Sequence, residues 1–102
     1  MKCQRENNDL VVSFDERMDS ALCAKAAKEV EAALADAKLQ VGNQLKVKFD
    51  VSAVTYGSSS FLRICLSTAK SVGTTSFSVV GANETLRKVF GIAGFDKILT
   101  IV

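Results

Sequence analysis

Most of the chemistry available to this chain lies in one hydroxyl-rich loop. It reads Asp50-Val51-Ser52-Ala53-Val54-Thr55-Tyr56-Gly57-Ser58-Ser59-Ser60 and runs into Phe61-Leu62. Serines at the start of a helix can cap it, offering an oxygen to backbone N–H groups that have no partner. The same free N–H groups and the positive end of the helix dipole also favour an anion, a phosphate or phosphoserine among them. Catalytic sets are harder to assemble. The sequence has no histidine, so a serine nucleophile would need a lysine or carboxylate base, and the loop holds no Ser-x-x-Lys box. Neither a Walker loop nor a GxGxxG stretch is present. Asp15, Glu16 and Asp19 lie close together, as paired carboxylates would, but they also read as loop acids and a helix cap. The residues contain no enzyme signature.

The three cysteines, Cys3, Cys23 and Cys65, are widely spaced and form no CxxC pair. With no histidine to join them, they cannot supply a zinc site, and neither a metal nor a cofactor is expected. Cys23 and Cys65 fall on apolar faces of predicted helices, where a thiol acts as a small hydrophobe.

The elements that position the loop follow from periodicity. Leu10 to Phe14 is a short apolar run and predicts a strand. Asn7-Asn8-Asp9 before it is turn chemistry, so residues 1–9 can form an edge strand and turn. Between Ser20 and Lys38, Leu22, Ala26, Val30, Ala33, Leu34 and Ala37 fall on one helical stripe, with Asp19 or Ser20 as its cap. Leu45 to Val51 alternates apolar and polar residues and predicts the central strand. Leu62, Cys65, Leu66 and Ala69 then recur at helical spacing, and Gly73 ends that helix. Ser76 to Val80 is the next strand. A helix carrying Leu86, Val89, Phe90 and Ala93 follows, stopped by Gly94-Phe95, and Lys97 to Val102 is the last strand. The spacing predicts helices over 20–39, 59–72 and 84–93. Strands and helices alternating in this way build a mostly parallel sheet with right-handed crossovers.

Size and charge narrow the function. A chain of 102 residues suits one domain spanning 1–102, and no linker or repeat divides it. The net charge of +2, with lysines and acids interleaved, reads as a solvated surface, so no nucleic-acid partner is expected. No apolar run approaches the ~20 residues that cross a bilayer, so no membrane insertion is expected. The polar start is unlike a signal peptide. Reduced thiols suit the cytoplasm.

At the serine loop the sequence resembles the STAS family, which includes bacterial anti-sigma-factor antagonists. The family pattern is a strand ending in Asp, a short Ser-Gly-Val-like stretch, an aromatic or apolar residue, then Asp-Ser-Ser/Thr-Gly-Leu opening a helix. Here Lys48-Phe49-Asp50 ends the strand, Val51 to Tyr56 follows, and Gly57-Ser58-Ser59-Ser60-Phe61-Leu62 opens the helix. Arg17-Met18-Asp19-Ser20 resembles the stretch before the family's first helix. Gly81-Ala82-Asn83, Val89-Phe90 and Ala93-Gly94-Phe95 resemble its final helix. The likeness covers roughly residues 10–102 and is carried by register more than by one motif. It departs in three places: Ser58 stands for the family's Asp, Phe61 for its Gly, and Glu16 for a Gly before the first helix.

The resemblance implies a single α/β domain, with a four- or five-stranded mixed sheet and three or four helices. It also implies a protein-binding module rather than an enzyme. Aligned on Leu62, the family's phosphorylated serine is Ser59, with Ser58 and Ser60 as weaker candidates, and Ser58 can still cap the helix. Asp50, Ser52, Tyr56, Gly57, Ser58, Ser59, Ser60, Phe61 and Arg63 are then the residues that meet a partner. That partner is an anti-sigma factor that is also a serine kinase, or an ATPase. Phe61 is expected to be substantially exposed, since other residues fill the helix's core stripe. Two rival roles fit the same resemblance: an accessory subunit of a transporter ATPase or signalling scaffold, and a small-ligand-binding STAS domain.

Overall fold

The computed structural model describes residues 1–102. Five strands form the main sheet: β1 (Lys2–Glu6), β2 (Asp9–Ser13), β4 (Lys46–Asp50), β6 (Phe77–Val80) and β7 (Thr100–Ile101), in the order β1-β2-β4-β6-β7. β1 runs antiparallel to β2 through the turn at Asn7, which takes the left-handed conformation (φ 56°). The other neighbours pair in parallel. Two short strands, β3 (Arg17–Met18) and β5 (Tyr56–Gly57), pair in parallel as a separate ribbon. The helices are α1 (Ser20–Val41), α2 (Ser59–Val72) and α3 (Glu84–Ile92). β4 occupies the middle of the sheet, as its alternating pattern and the loop after it require.

Every crossover from β2 onward steps in the same direction across the sheet. Right-handed crossovers in one direction put all their helices on one face. The register agrees: Leu10 pairs with Val47 and Val47 with Phe77, while Val12 pairs with Phe49 and Phe49 with Val79. All six are buried beneath the helices. The opposite face carries exposed Lys46 and Lys48, with Lys48 placed 3.8 Å from Asp9. Alternation along β4 therefore reports a sheet dry on one side only.

The core is one cluster of 23 apolar residues. At its centre Phe14, Phe49, Phe61 and Phe77 stack edge to face, with ring centres 4.7–5.0 Å apart. Such pairs add roughly 0.5–1.5 kcal/mol beyond the area they bury. α1 contributes Cys23, Ala26, Val30, Leu34 and Ala37, the helical stripe expected except at Leu22, which stays 38% exposed, and Ala33, which is half-buried. α1 runs two residues beyond the expected end and stops at Gly42, whose φ of 60° favours glycine. No helix is long and apolar enough to cross a membrane.

The last helix stop holds and the last strand shortens. The stop at Gly94 is left-handed, as anticipated (φ 77°), and Phe95 packs toward Phe90. The chain then makes a 3-10 turn over Phe95–Lys97, so the final strand shortens to Thr100–Ile101. Local bonds from Ile98 and Leu99 back to the Phe95 carbonyl compete with the sheet there.

Candidate protein-binding site

β4 ends at Asp50, and the chain turns immediately. The Asp50 carboxylate accepts a bond from the Ser52 backbone N–H at 3.0 Å. The Ser52 hydroxyl and this N–H hold the Asp50 carboxyl below the usual carboxylate range. Val51 and Val54 are buried and fold the loop back over the core. Gly81, at the end of β6, fits against Ser52: a Cβ there would lie 2.9 Å from the Ser52 Cβ and 3.1 Å from its backbone N. With φ at 80°, this position takes glycine on both counts. Asn83 fixes the other side, donating to the Val54 carbonyl at 3.1 Å while accepting from Leu86 N–H at 2.8 Å to cap α3.

A second set of bonds fastens this loop to the one before α1. Thr55 donates its N–H (2.7 Å) and its hydroxyl (3.1 Å) to the Glu16 carbonyl. Ser58 N–H donates to the Met18 carbonyl at 3.0 Å. Arg17 and Tyr56 face each other across the ribbon, with the guanidinium 4.7 Å from the centre of the ring. That stacking holds Tyr56 in place at the surface, 46% exposed. Asp15 is drawn to the N-terminal amine at 3.1 Å and Asp19 caps α1 through Leu22 N–H at 3.0 Å. Asp15 and Asp19 thus have separate structural jobs and make no paired-carboxylate site.

α2 begins differently from its neighbours. Ser58 sits at the N-cap with extended backbone, but its side chain makes no capping bond. Its hydroxyl turns inward, 3.8 Å from the Cys23 thiol. The cap expected of Ser58 is therefore absent, and the first N–H groups of α2 have no side-chain acceptor. Cys23 is buried and has its pKa raised, chiefly by desolvation. Cys65 is fully buried, and desolvation pushes its thiol up further. Both thiols are packing groups here.

Ser59, the first residue of α2, is exposed, as are Ser52, Tyr56 and Arg63. Asp50, Gly57, Ser58 and Ser60 are half-buried. Phe61 departs from expectation and is completely buried. Its ring meets Phe14 at 5.0 Å and lies under Gly57, where a Cβ would stand 2.9 Å from the Phe61 Cδ2. Phe61 therefore plugs the core beneath the loop and has no surface to give a partner. The buried stripe of α2 is Phe61, Ile64, Cys65, Thr68 and Ala69: Cys65 and Ala69 fall in it as expected, while Leu62 and Leu66 are only half-buried. Three residues that shape the site were not singled out as site residues: Arg17, Gly81 and Asn83. The Gly57–Phe61 spacing was the available signal, since glycine one turn before a large aromatic leaves room for the ring.

No family model matches the sequence, and no curated protein matches it. Solved structures do match. An anti-sigma factor antagonist from Mycobacterium paratuberculosis superposes with a TM-score of 0.80 at 24% identity, over 98% of this chain and 81% of that one. A Thermotoga maritima protein to which the same role is ascribed gives 0.78 at 18% identity, over 98% and 83%. The Bacillus cell fate determinant SpoIIAA in its phosphorylated form gives 0.70 at 11% identity, over 99% and 89%. SpoIIAA in its unphosphorylated form also gives 0.70, at 10% identity over 99% and 86%. The fold is that of the anti-sigma-factor antagonists.

Proposed function

We propose that this chain is a protein-binding regulatory module of the anti-sigma-factor-antagonist type, switched by phosphate on Ser59. The carrying observation is the start of α2. An exposed serine opens a helix of 14 residues, and its leading N–H groups lack a side-chain cap because the Ser58 hydroxyl faces Cys23. A phosphate there adds roughly 1.5–2 negative charges where backbone donors and the helix dipole favour them. The free protein tolerates this modification. A partner surface closed over Ser59 does not, because it would bury the charge away from water. The fold supports the reading, since SpoIIAA, which shares it, exists in phosphorylated and unphosphorylated forms.

Tyr56, Arg17 and Arg63 supply the anchors around Ser59. Tyrosine and arginine are enriched among residues that dominate binding energy. The loop that carries Tyr56 is held by the bonds to Glu16, Met18 and Asn83, so little order is left to impose on docking. The partner class is an anti-sigma factor with serine-kinase activity.

Affinity capture from the source cell, followed by incubation of the captured kinase with ATP and mass-spectrometric mapping, tests this. Phosphate on Ser59, and release of the kinase as it accumulates, are the expected results. Capture of a transporter ATPase, with Ser59 unmodified, would replace the switch with the accessory-subunit role.

A further inference from the structure

The main sheet ends in two unlike strands. β7 offers two residues, Thr100–Ile101, while β1 offers five, Lys2–Glu6, all of them exposed. An edge strand presents a row of free backbone N–H and C=O groups, ready to take another strand. Proteins blunt such edges with proline, bulges or charge. β1 contains no proline, and its register against β2 is unbroken over its whole length. What it does carry is charge, with a base at one end and an acid at the other: Lys2-Cys3-Gln4-Arg5-Glu6.

The hairpin fixes which groups point outward. Glu6 and Asp9 close a two-residue turn, and a closing pair of that kind exchanges both of its backbone bonds. Bonded and non-bonded pairs alternate along the ladder, so Gln4 and Lys2 also bond inward, to Val11 and Ser13. The backbone groups of Cys3 and Arg5 therefore face out. Side chains alternate as well. Cys3 and Arg5 lie opposite buried Val12 and Leu10, on the helix face, and Arg5 donates there to Gln40 of α1. Lys2, Gln4 and Glu6 lie on the open face. Neither Lys2 nor Glu6 joins an ion pair of the fold, and Glu6 stands directly opposite Asp9, a like charge. A cation beside Glu6 would relieve that opposition.

A second copy of the chain supplies one. Two copies joined antiparallel along β1 are related by a twofold axis normal to the sheet, which keeps open face beside open face. Near the middle of the strand that axis passes through Cys3, Gln4 or Arg5. Through Arg5 it sets two guanidinium groups against each other. Through Cys3 it sets Lys2 against Gln4 and leaves Glu6 beyond the other strand. Through Gln4 it sets Lys2 of each copy against Glu6 of the other, and Cys3 against Arg5 as hydrogen-bonded pairs. That register alone uses every outward group of β1 and pairs both free charges.

We infer that the chain forms a homodimer through β1, antiparallel and centred on Gln4, which joins two sheets into one. The second copy is selected because its strand carries the complementary charges in reverse order. The seam is short, roughly 17 Å, so the dimer is weak and reversible, at the low end of interface size.

Sedimentation equilibrium of the full chain in low salt should show monomer and dimer exchanging with a Kd of roughly 100 µM, weakened by added sodium chloride. Lys2→Glu opposes two acids and Glu6→Lys two bases, so each should weaken the dimer at least about tenfold. The double variant, Lys2→Glu with Glu6→Lys, should return to within about threefold of the original. Both side chains are exposed, so these variants keep the fold. A second measurement reads the register. Gln4→Cys in a Cys3→Ser background should crosslink under mild oxidation, because a non-hydrogen-bonded pair brings its α-carbons to about 4.5 Å. Cys3 of the unaltered chain, which faces Arg5, should not. A monomer at every concentration up to about 500 µM, a dimer indifferent to the single reversals, a double variant as weak as either single one, or crosslinking through Cys3 in place of position 4 would each overturn the inference.

Discussion

Three helices start at the same end of the sheet, and they do not start alike. Asp19 caps α1 through Leu22 N–H, and Asn83 caps α3 through Leu86 N–H. At α2 the residue in the same place, Ser58, points into the protein toward Cys23. The uncapped helix opens with an exposed serine, as α1 also does at Ser20, but only α2 carries a buried phenylalanine in its first turn. Two starts are finished locally, by side chains. The third is held from below and left open above, the arrangement on which the proposed phosphate at Ser59 depends.

Removing the anchor is the harshest way to test that contrast. Phe61→Ala deletes a fully buried ring in contact with Phe14, and such deletions cost about 3–5 kcal/mol. Against a total of roughly 5–15 kcal/mol for a domain of this size, urea unfolding should show a large drop in midpoint. Gly57→Ala crowds the same ring, since its Cβ would lie 2.9 Å from Phe61 Cδ2. It should therefore cost less in a Phe61→Leu background than in the wild type. Equal costs in both backgrounds would show that Gly57 and Phe61 are not coupled.

The difference between the helix starts was only partly legible in the sequence. Asp50, the turn that follows it and the position of Ser59 could be read from register, because strand and helix periods change there. The central place of β4 followed from the same alternation. Phe61 was misplaced because the apolar residues of α2 can be read on two overlapping stripes, and Leu62 with Leu66 outweighed a stripe that contains a threonine. In the protein Thr68 is buried, and Phe61, Ile64 and Cys65 share its side. The β3–β5 ribbon left no trace, since two-residue strands carry no period. The inward turn of Ser58 depends on Cys23, 35 positions away in sequence, and no local pattern encodes such a contact.

Charge at the open start should act on binding and hardly on folding. Ser59→Asp places one negative charge where a partner closes. A charge left unpaired in a desolvated interface costs typically ~2–5 kcal/mol, or roughly 30-fold or more in affinity. In the free protein the dipole returns about 0.5–1 kcal/mol, so thermal stability should hold or rise slightly. Calorimetric titration with the captured kinase reads the first effect and a melting curve the second. Unchanged affinity would remove Ser59 from the interface. The fold reading would stand.

The closed starts should respond in the opposite sense. Asp19→Ala removes one cap and should cost about 1 kcal/mol of stability. Asn83→Ala should cost somewhat more, about 1–2 kcal/mol, because it also frees the Val54 carbonyl. Neither side chain is placed at the partner surface, so the affinity of the folded variants should not change.

Acid should loosen the loop through Asp50. Its folded pKa lies below its unfolded value because the Ser52 hydroxyl and N–H favour the ionised form. That stabilisation is present above the unfolded pKa and disappears as pH falls through the folded one. The effect is small, since the carboxylate is near solvent. Ser52→Ala should move the Asp50 pKa upward, toward the ordinary carboxylate value, in a carbon-detected NMR titration. No movement would mean that the backbone N–H alone sets it.

The smallest expected effect separates the two kinds of helix start most cleanly. Ser58 occupies the N-cap, where replacing serine with alanine ordinarily costs ~1 kcal/mol. In this protein the hydroxyl does not bond to an α2 N–H, so that cost has no source. What Ser58→Ala removes is a contact of 3.8 Å to the Cys23 sulfur. A thiol is a weak hydrogen-bond partner, and the change should stay within about 0.5 kcal/mol, the range of an ordinary substitution. Measured beside Asp19→Ala under the same conditions, the pair gives a direct comparison of a working cap with an idle one. A loss at Ser58 as large as that at Asp19 would mean the hydroxyl caps α2 in solution. The open N-terminus on which the Ser59 switch depends would then be closed before any phosphate arrived.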